Sequence, residues 1–394
     1  MKLLVLSNYF TPDLSAGSFR MQGLIDALSA YRDSGLEVDV ITTRPNRYAS
    51  FKNEAPAEEN HGWLRIYRVD LPAHNSGMLD QAKAYSSYVR GVRRLTSGKS
   101  WDLVFATSSR LMTAGLGTHI ARRIKAPLYL DIRDLFTDNM EELLVSRPAR
   151  LLLPAFRRIE NTAYRNAARI NIVSAGFLPH VKSISPRSNP RVYTNGIDDI
   201  FLSHSFLPLE AASNLPLIVY AGNMGEGQGL HRIIPEAARL LNGRARIRLI
   251  GDGGRRKDLE VALRKTGARN VEVLSPVPRE KLLEHYREAD LLFLHLNDLN
   301  AFRKVLPSKI FEYAATGKPI LAGVSGYAAQ FLTAEVPSSE VFAPLDAVAM
   351  ANAANRLIDG PRFVDRESFR SNFARRNIMQ EMASDIISAI KECA

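Results

Sequence analysis

The chain has 394 residues, a length that usually forms two or three domains, each large enough to bury its own hydrophobic core. Its composition, 46% hydrophobic and 24% charged, is that of a folded globular protein, and without any apolar run of about 18 residues the sequence predicts no membrane span. The single cysteine, Cys393, excludes a disulfide framework and a cysteine metal site, and it suits a reducing cytosol.

The charge balance indicates an anionic partner. The net charge is +11, and eight of the excess positive charges lie in residues 1–200. A basic surface could meet nucleic acid, anionic lipid or a phosphorylated substrate. Nucleic acid is the least favoured of the three, because the sequence has no zinc-finger spacing, no aromatic RNA-binding motif and no dense Lys/Arg tract.

The first half of the chain alternates between strand and helix patterns. Strands separated by helices predict a parallel, doubly wound sheet. Short apolar runs predict strands at residues 2–7, 38–42, 64–69, 103–106, 128–132, 170–174 and 191–193. Helical periodicity lies between them, around Leu24–Leu28 and at residues 85–95 and 111–124.

The pattern breaks after residue 195 and then starts again. Turn residues and a proline make residues 196–215 the predicted connection between two domains. Further strands are predicted at 217–220, 247–250, 271–274, 291–294 and 320–322, and helices at 230–241, 255–265, from 279 and at 348–358. The fold class is therefore α/β, with two Rossmann-like, doubly wound parallel-sheet domains, residues 1–195 and 216–365, facing a cleft. Residues 366–394 are predicted to be helical and could cross back to the first domain.

A short helix is predicted near residue 308, before the apolar strand at 320–322. Pro307 and Ser308 favour a helix start, and Gly317 favours its end. The amides at such a helix start suit a phosphate. Glu312 lies one position too far for a capping box, so its carboxylate could accept bonds from a ligand's hydroxyls or pair with Lys309 one turn earlier. The sequence leaves both interpretations open.

Two glycine-rich loops follow strands in the same half. Residues 222–229 contain four glycines, beginning with Gly222 and Asn223, and residues 251–254 contain three, beginning with Gly251. Each loop leads from a predicted strand to a predicted helix, the context in which backbone amides approach a phosphate. Neither is a Walker loop. Together with the helix near residue 308 they favour a phosphate or nucleotide site.

Two further candidates follow strands of the first half. Gly17 lies near a predicted helix start and could allow close approach of a ligand, or it could simply form a turn. Arg133 and Asp134 emerge at the end of the strand at 128–132, where ligands gather in open α/β sheets. They could contact a substrate hydroxyl or pair with each other.

Residues 147–169 form a basic amphipathic run. Its six arginines, interleaved with leucine, phenylalanine and isoleucine, are typical of a helix lying on anionic lipid or of an ordinary solvated helix. The sequence does not decide between the two.

Motifs of both halves, in this order and spacing, resemble family 4 of the retaining glycosyltransferases, which have the GT-B fold. The motifs lie at residues 219–225, 249–253, 289–293 and 307–319, and at residues 8–13, 45–48, 132–135 and 194–198. The similarity covers most of the chain. Within the family, the motifs resemble those of bacterial O-antigen and capsule transferases of the N-acetylfucosaminyltransferase type.

The resemblance implies a role for each candidate residue. Glu312 would hold the ribose hydroxyls of a sugar nucleotide, and Ser308 and Lys309 would meet its diphosphate. The other donor-binding positions would be Gly222 and Asn223 facing the diphosphate, Gly251 and Val277 beside the base, and Gly17 near the phosphates. The catalytic set would be Arg133, Asp134 and Lys309.

The resemblance also implies the reaction and its partners. A sugar would pass with retention from a nucleotide-sugar donor, with a UDP-sugar favoured, to a glycan or polyprenyl-diphosphate-linked acceptor in surface polysaccharide synthesis. No metal or other cofactor is expected, because basic side chains and helix dipoles stabilise the leaving diphosphate. No nucleic-acid partner is expected either. The expected location is the cytoplasm or the inner face of the cytoplasmic membrane. A UDP-N-acetylglucosamine 2-epimerase of the same fold, or a non-catalytic sugar-nucleotide-binding protein, is the alternative.

The chain departs from the family pattern at two positions. Many members carry a second glutamate eight residues before the one at Glu312, where this chain has Lys304. The lysine that usually follows the first glycine loop is replaced by Gln228. Lys309, Arg303 or Lys304 could supply the positive charge that Gln228 lacks.

Overall fold

The computed structural model describes residues 1–13, 15–45, 55–72, 78–108, 111–143, 151–207 and 215–393. They form two compact units, residues 1–195 with 375–394, and residues 196–374. Three positions of the motif at 45–48, namely residues 46–48, lie outside the described residues, as do Arg147 and Arg150 of the basic run.

The first unit contains an eight-stranded sheet in the order β3-β4-β2-β1-β5-β6-β7-β8. Its strands are β1 (Lys2–Leu6), β2 (Glu37–Thr43), β3 (Glu58–Asn60), β4 (Leu64–Val69), β5 (Leu103–Thr107), β6 (Leu128–Ile132), β7 (Arg169–Ile172) and β8 (Arg191–Val192). β5 and β6 are buried along their whole length, as expected for central strands of a parallel sheet that is covered on both faces.

Within the described ranges, six helices connect the strands of the first unit, and a seventh comes from the end of the chain. They are α1 (Ala16–Leu28), α2 (Met78–Leu95), α3 (Leu111–Ile124), α4 (Phe136–Leu143), α5 (Leu153–Asn166), α6 (Leu178–Ile184) and, at the end of the chain, α15 (Arg375–Cys393). α15 packs on α1, and its Asp385 accepts a hydrogen bond from the Tyr129 hydroxyl of β6 at 2.8 Å. The last helix of the chain thus completes the first unit.

β3 is a strand that the apolar pattern does not predict. Its three residues are polar, and it pairs antiparallel with β4 at the sheet edge. Glu59 of β3 is held there by an ion pair with Arg68 of β4. The strand exists because of its neighbour rather than because of its own propensity.

The second unit contains a parallel six-stranded sheet in the order β11-β10-β9-β12-β13-β14. Its strands are β9 (Leu217–Ala221), β10 (Arg246–Ile250), β11 (Val271–Leu274), β12 (Leu291–His295), β13 (Ile320–Gly323) and β14 (Ser339–Phe342). Its helices are α7 (Asp199–Leu202), α8 (Leu230–Leu240), α9 (Arg256–Thr266), α10 (Arg279–Glu288), α11 (Lys309–Ala315), α12 (Tyr327–Glu335), α13 (Ala347–Ile358) and α14 (Glu367–Asn372).

The second unit begins and ends at different residues from the predicted domain. Residues 196–207 were assigned to a connection, yet Ile197, Phe201 and Phe206 are buried in the core of this unit. The Ile197 amide donates to the carbonyl of Phe373 at 2.7 Å, which also ties α14 to the same unit. Burial of these apolar side chains places both segments here, and residues 208–214 lie outside the described residues.

The strand order of the second unit reverses between β9 and β12, which are hydrogen-bonded neighbours. In open α/β sheets such a switch point is where the loops beyond the carboxyl ends of the strands separate and leave room for a ligand. The glycine loop at 222–229 follows β9. Across the described ranges, no helix is both long enough and apolar enough to cross a bilayer.

Candidate functional site

The two glycine loops of the second unit meet backbone to backbone. The Gly222 amide donates to the carbonyl of Ile250 at 2.9 Å, and the Met224 amide donates to that of Asp252 at 2.8 Å. Gly251 has a φ of +147°, and a Cβ at this position would lie 1.9 Å from the Gly222 carbonyl oxygen. Only glycine fits there, so the contact requires the residue type that the sequence supplies.

The loop at 222–229 is also fixed from β12, which sequence reasoning did not anticipate. Asn297 donates from its side chain to the Glu226 carbonyl at 3.0 Å and from its backbone N–H to the Gly227 carbonyl at 2.8 Å. His295, at the end of β12, lies 2.6 Å through Nδ1 from the Gln228 carbonyl. The sequence signal for this contact was a histidine directly after an apolar strand pattern.

His295 is buried against the loop as a neutral ring. Burial lowers the pKa of His295 to about 4, even though the bond to the Gln228 carbonyl favours the charged ring, and Arg232 lowers it further. Its Nε2 accepts from the Leu345 amide at 3.0 Å, so the buried ring is neutral with its proton on Nδ1.

We expect acidification to destabilise the protein through His295. An unfolded histidine has a pKa of about 6.5, so between pH 6.5 and pH 4 the unfolded chain binds a proton that the folded one excludes. Stability attributable to this group therefore falls as the pH falls, by about 2 kcal/mol between pH 7.5 and pH 5. Urea unfolding at both pH values should show this extra loss in the wild type and not in His295→Gln. Identical pH dependence in the two proteins would contradict the assignment.

The Lys309–Glu312 ion pair forms on α11. Lys309 Nζ lies 2.7 Å from Glu312 Oε2, and the two side chains are only 28% and 17% exposed. Burial alone would lower the pKa of Lys309, but the attraction and hydrogen bond of Glu312, together with Tyr313 and Tyr220, raise it. The pair is thus partly buried, and the hydrogen bond from the ammonium engages Oε2 of the Glu312 carboxylate.

Ser308 precedes α11 but does not cap it as predicted. Its φ of −59° and ψ of −26° are helical, and in this described helix its side chain makes no capping bond. A capping serine needs extended backbone angles to turn its hydroxyl toward the amides of the first turn. Ser308 therefore continues the helical backbone.

The remaining predicted positions of the second unit surround the glycine loops. The Asn223 side chain donates to Gln228 Oε1 at 2.9 Å, so Gln228 holds Asn223 in place. Arg256 donates to the Gly251 carbonyl at 3.0 Å. Val277 is half-buried and packs against the core of this unit.

In the first unit the structure brings Gly17 and Arg133 together. Arg133 Nη1 would lie 3.8 Å from a Cβ on Gly17, at the start of α1. Arg133 donates from Nη2 to Asn195 Oδ1 at 3.1 Å, whereas its buried Nη1 has no hydrogen-bond partner among the described residues. Burial, together with repulsion from Arg20, lowers the pKa of Arg133 to about 10, so it stays charged at neutral pH.

Arg133 and Asp134 turn to different partners. Asp134 is exposed and accepts from the Asn139 side chain at 2.7 Å, while Arg133 bonds Asn195. The predicted alternative of a structural pair between these two neighbours is therefore not the arrangement within the described residues.

The sequence did not predict the buried ion pair between Arg20 and Asp131. Arg20 and Asp131 lie 3.0 Å apart with almost no exposure, and Arg20 also donates to the Thr194 carbonyl at 2.6 Å. Burial would raise the pKa of Asp131, but Arg20 and Arg133 outweigh it and hold that pKa below its usual value. Asp131, an acid inside an apolar strand, was the available signal, because such a carboxylate needs a partner.

The described part of the basic run divides into a helix and a strand. Arg157, Arg158 and Arg165 are exposed on α5, and Leu151 and Leu152 before it are 80% and 45% exposed. Arg169, predicted with the helix, instead begins β7 and pairs with Asp385 at 3.3 Å. The strand pairing takes it off the helix surface.

Both units match known glycosyltransferase families. The family described as "Glycosyl transferase 4-like domain" matches residues 25–196, and "Glycosyl transferases group 1" matches residues 207–376. The chain is 26% identical to WcaI of Escherichia coli (strain K12), over 98% of this chain and 100% of that protein. The name of WcaI proposes that it is a glycosyl transferase of colanic acid biosynthesis.

Two solved structures share the fold. Anabaena Alr3699/HepE in complex with UDP-glucose has a TM-score of 0.63 at 17% identity, over 100% of this chain and 98% of that one. The lipopolysaccharide outer core galactosyltransferase WaaB in its apo form has a TM-score of 0.61 at 11% identity, over 98% and 99%. The chain has the GT-B fold with its two parallel α/β sheets, and it belongs to the family 4 glycosyltransferases, which use nucleotide-sugar donors.

Proposed function

We propose that the enzyme transfers a sugar from a UDP-sugar to a glycan or polyprenyl-diphosphate-linked acceptor, with retention of configuration. The observation that carries the proposal is the partly buried Lys309–Glu312 pair, which places a cation and a carboxylate side by side in the unit that holds both glycine loops. Alr3699/HepE, which was solved with UDP-glucose, supports UDP as the nucleotide.

In this proposal each side chain has a chemical task. Glu312 accepts from the ribose hydroxyls, and Lys309 donates to the diphosphate, with Ser308, Gly222 and Asn223 beside it. Gly251 and Val277 border the base. A preorganised ammonium stabilises the charge that develops on the leaving group, which is the largest single effect in many enzymes.

The transfer breaks one C–O bond and forms another, and no atom changes its oxidation state. The bond between the anomeric carbon and the β-phosphate oxygen breaks, and its electron pair leaves with the diphosphate. The acceptor oxygen forms the new bond on the same face, and its proton passes to a phosphate oxygen. Gly17 would meet the donor phosphates. Arg133, whose Nη1 has no hydrogen-bond partner among the described residues, and Asp134 would contact the reacting sugar.

The proposed pathway is the synthesis of a bacterial surface polysaccharide, O-antigen or capsule. The name of the Escherichia coli relative, which refers to colanic acid biosynthesis, supports it. Incubation with a panel of UDP- and GDP-sugars, with and without a polyprenyl-diphosphate glycan, tests the proposal. Acceptor-dependent release of the nucleotide with an α-linked product from an α-linked donor is the expected result. Epimerised UDP-sugar without acceptor, or binding without turnover, would overturn it.

We further propose that the enzyme works in the cytoplasm and touches the inner face of the membrane through α5. The exposed arginines of this helix would meet anionic headgroups, and Leu151 and Leu152 would insert between them. The protein should sediment at low salt with vesicles containing about a third phosphatidylglycerol, and a double change of Leu151 and Leu152 to serine should weaken this. Failure of the wild type to sediment would overturn the contact.

A further inference from the structure

A buried tyrosine also accepts a hydrogen bond from the ammonium of Lys309. The hydroxyl of Tyr286, at the end of α10, accepts a hydrogen bond from Lys309 Nζ at 3.1 Å. Tyr286 is completely buried, and its ring makes an edge contact with Tyr313 with the centroids 5.3 Å apart. The tyrosine therefore sits in a fixed position rather than following the lysine.

This contact decides where Lys309 can point. A lysine ammonium carries three N–H donors on a flexible four-carbon stem. Glu312 at 2.7 Å and Tyr286 at 3.1 Å take two of these donors. Because the three N–H bonds are arranged tetrahedrally, fixing two of them also fixes the direction of the third.

The same cluster reaches the glycine loop. The Tyr313 hydroxyl accepts from the amide of Ala221 at 3.2 Å, the last residue of β9 before Gly222. Lys309 Nζ lies 5.8 Å from the centroid of the Tyr286 ring and 5.9 Å from that of Tyr313. The two tyrosines thus connect the position of the ammonium to the strand end from which the loop begins.

We propose that Tyr286 is a positioning residue that aims the third N–H of Lys309 at a phosphate oxygen of the donor. The proposal rests on the proposed function, since it assigns the role of Lys309 in that site. It also explains how a carboxylate can lie beside a bound diphosphate: the ammonium is held between the two negative groups by a neutral acceptor. Without Tyr286 the lysine could turn entirely toward Glu312.

Tyr286→Phe tests the proposal because it keeps the ring and removes only the hydroxyl. The probe is UDP, titrated by calorimetry against the wild type, Tyr286→Phe, Lys309→Met and the double variant. We expect Tyr286→Phe to weaken UDP binding about tenfold when Lys309 is present, and by less than about twofold in the Lys309→Met background. A buried tyrosine of the first unit, Tyr164, whose hydroxyl bonds Glu160 at 3.4 Å, supplies the control Tyr164→Phe, which should leave UDP binding unchanged.

The outcomes separate this inference from the proposed function. If the wild type binds UDP and Lys309→Met weakens it, but Tyr286→Phe binds normally or weakens binding equally in both backgrounds, the positioning role is wrong and the donor site stands. If the wild type binds none of UDP, GDP and ADP, the proposed function is overturned, and the inference with it. A tenfold loss that depends on Lys309 supports both.

Discussion

Replacing Lys309 with methionine is expected to lower kcat/KM for the nucleotide sugar about 100- to 1,000-fold, since removal of one preorganised donor from a developing anion costs about this much. Methionine keeps most of the length of the side chain and removes the charge. The protein should remain folded, because Lys309 is partly exposed and its loss removes one hydrogen-bond partner each from Glu312 and Tyr286. Initial rates at varied donor concentration, together with thermal unfolding, provide the measurement.

The matched variants are Arg303→Met and Lys304→Met, because these residues were the other candidates for the charge that Gln228 lacks. Arg303 is half-exposed and lies 3.6 Å from Asp298, so its cation is already directed elsewhere. We expect both variants to keep activity within about threefold of the wild type, as surface ion pairs contribute little. Full activity in all three variants would show that none of these cations stabilises the leaving group.

Gly251→Ala is expected to cost about 3 kcal/mol of unfolding free energy and to abolish nucleotide binding. The added Cβ would fall 1.9 Å from the Gly222 carbonyl oxygen, which is backbone and cannot rotate away. Relief would require the ends of β9 and β10 to separate and would break the bond from the Gly222 amide to the Ile250 carbonyl. Urea unfolding and UDP titration measure the two effects.

Gly254→Ala is the control in the same loop. Among the described residues beyond its immediate neighbours, no heavy atom lies within 4 Å of a Cβ built at Gly254. Its stability should change by less than about 0.5 kcal/mol. If both variants lost the same unfolding free energy, the close contact between the Gly222 and Gly251 backbones would not be what holds the site.

The sequence alone was sufficient for the main elements of both sheets. Buried strands such as β5 and β6 are short unbroken apolar runs, and those runs are visible without a structure. The sequence placed the glycines of the second unit in loops between strand and helix and predicted that their backbone approaches a phosphate, whereas the contact of the two loops with each other appears only in the structure. β3 and β14 were missed, since short, half-polar edge strands owe their existence to the strands beside them.

The candidate site shows where local pattern stops being informative. The spacing of Lys309 and Glu312 allowed an ion pair as well as a carboxylate that binds a ligand, and only the structure shows that the two side chains are paired. Arg133 and Asp134 are adjacent in the chain, yet their partners, Asn195 and Asn139, come from other segments. Tyr286 and His295 carried no recognisable motif.

Composition, apolar periodicity and glycine placement therefore determined the α/β class and the positions of the two glycine loops of the second unit. The tertiary structure alone decided which polar side chains share a hydrogen bond, and it placed Tyr286 against Lys309 and His295 against the glycine loop. The physical reason is that strand and helix patterns are set by neighbours a few residues apart. Buried polar groups, in contrast, must find partners wherever the folded chain supplies them.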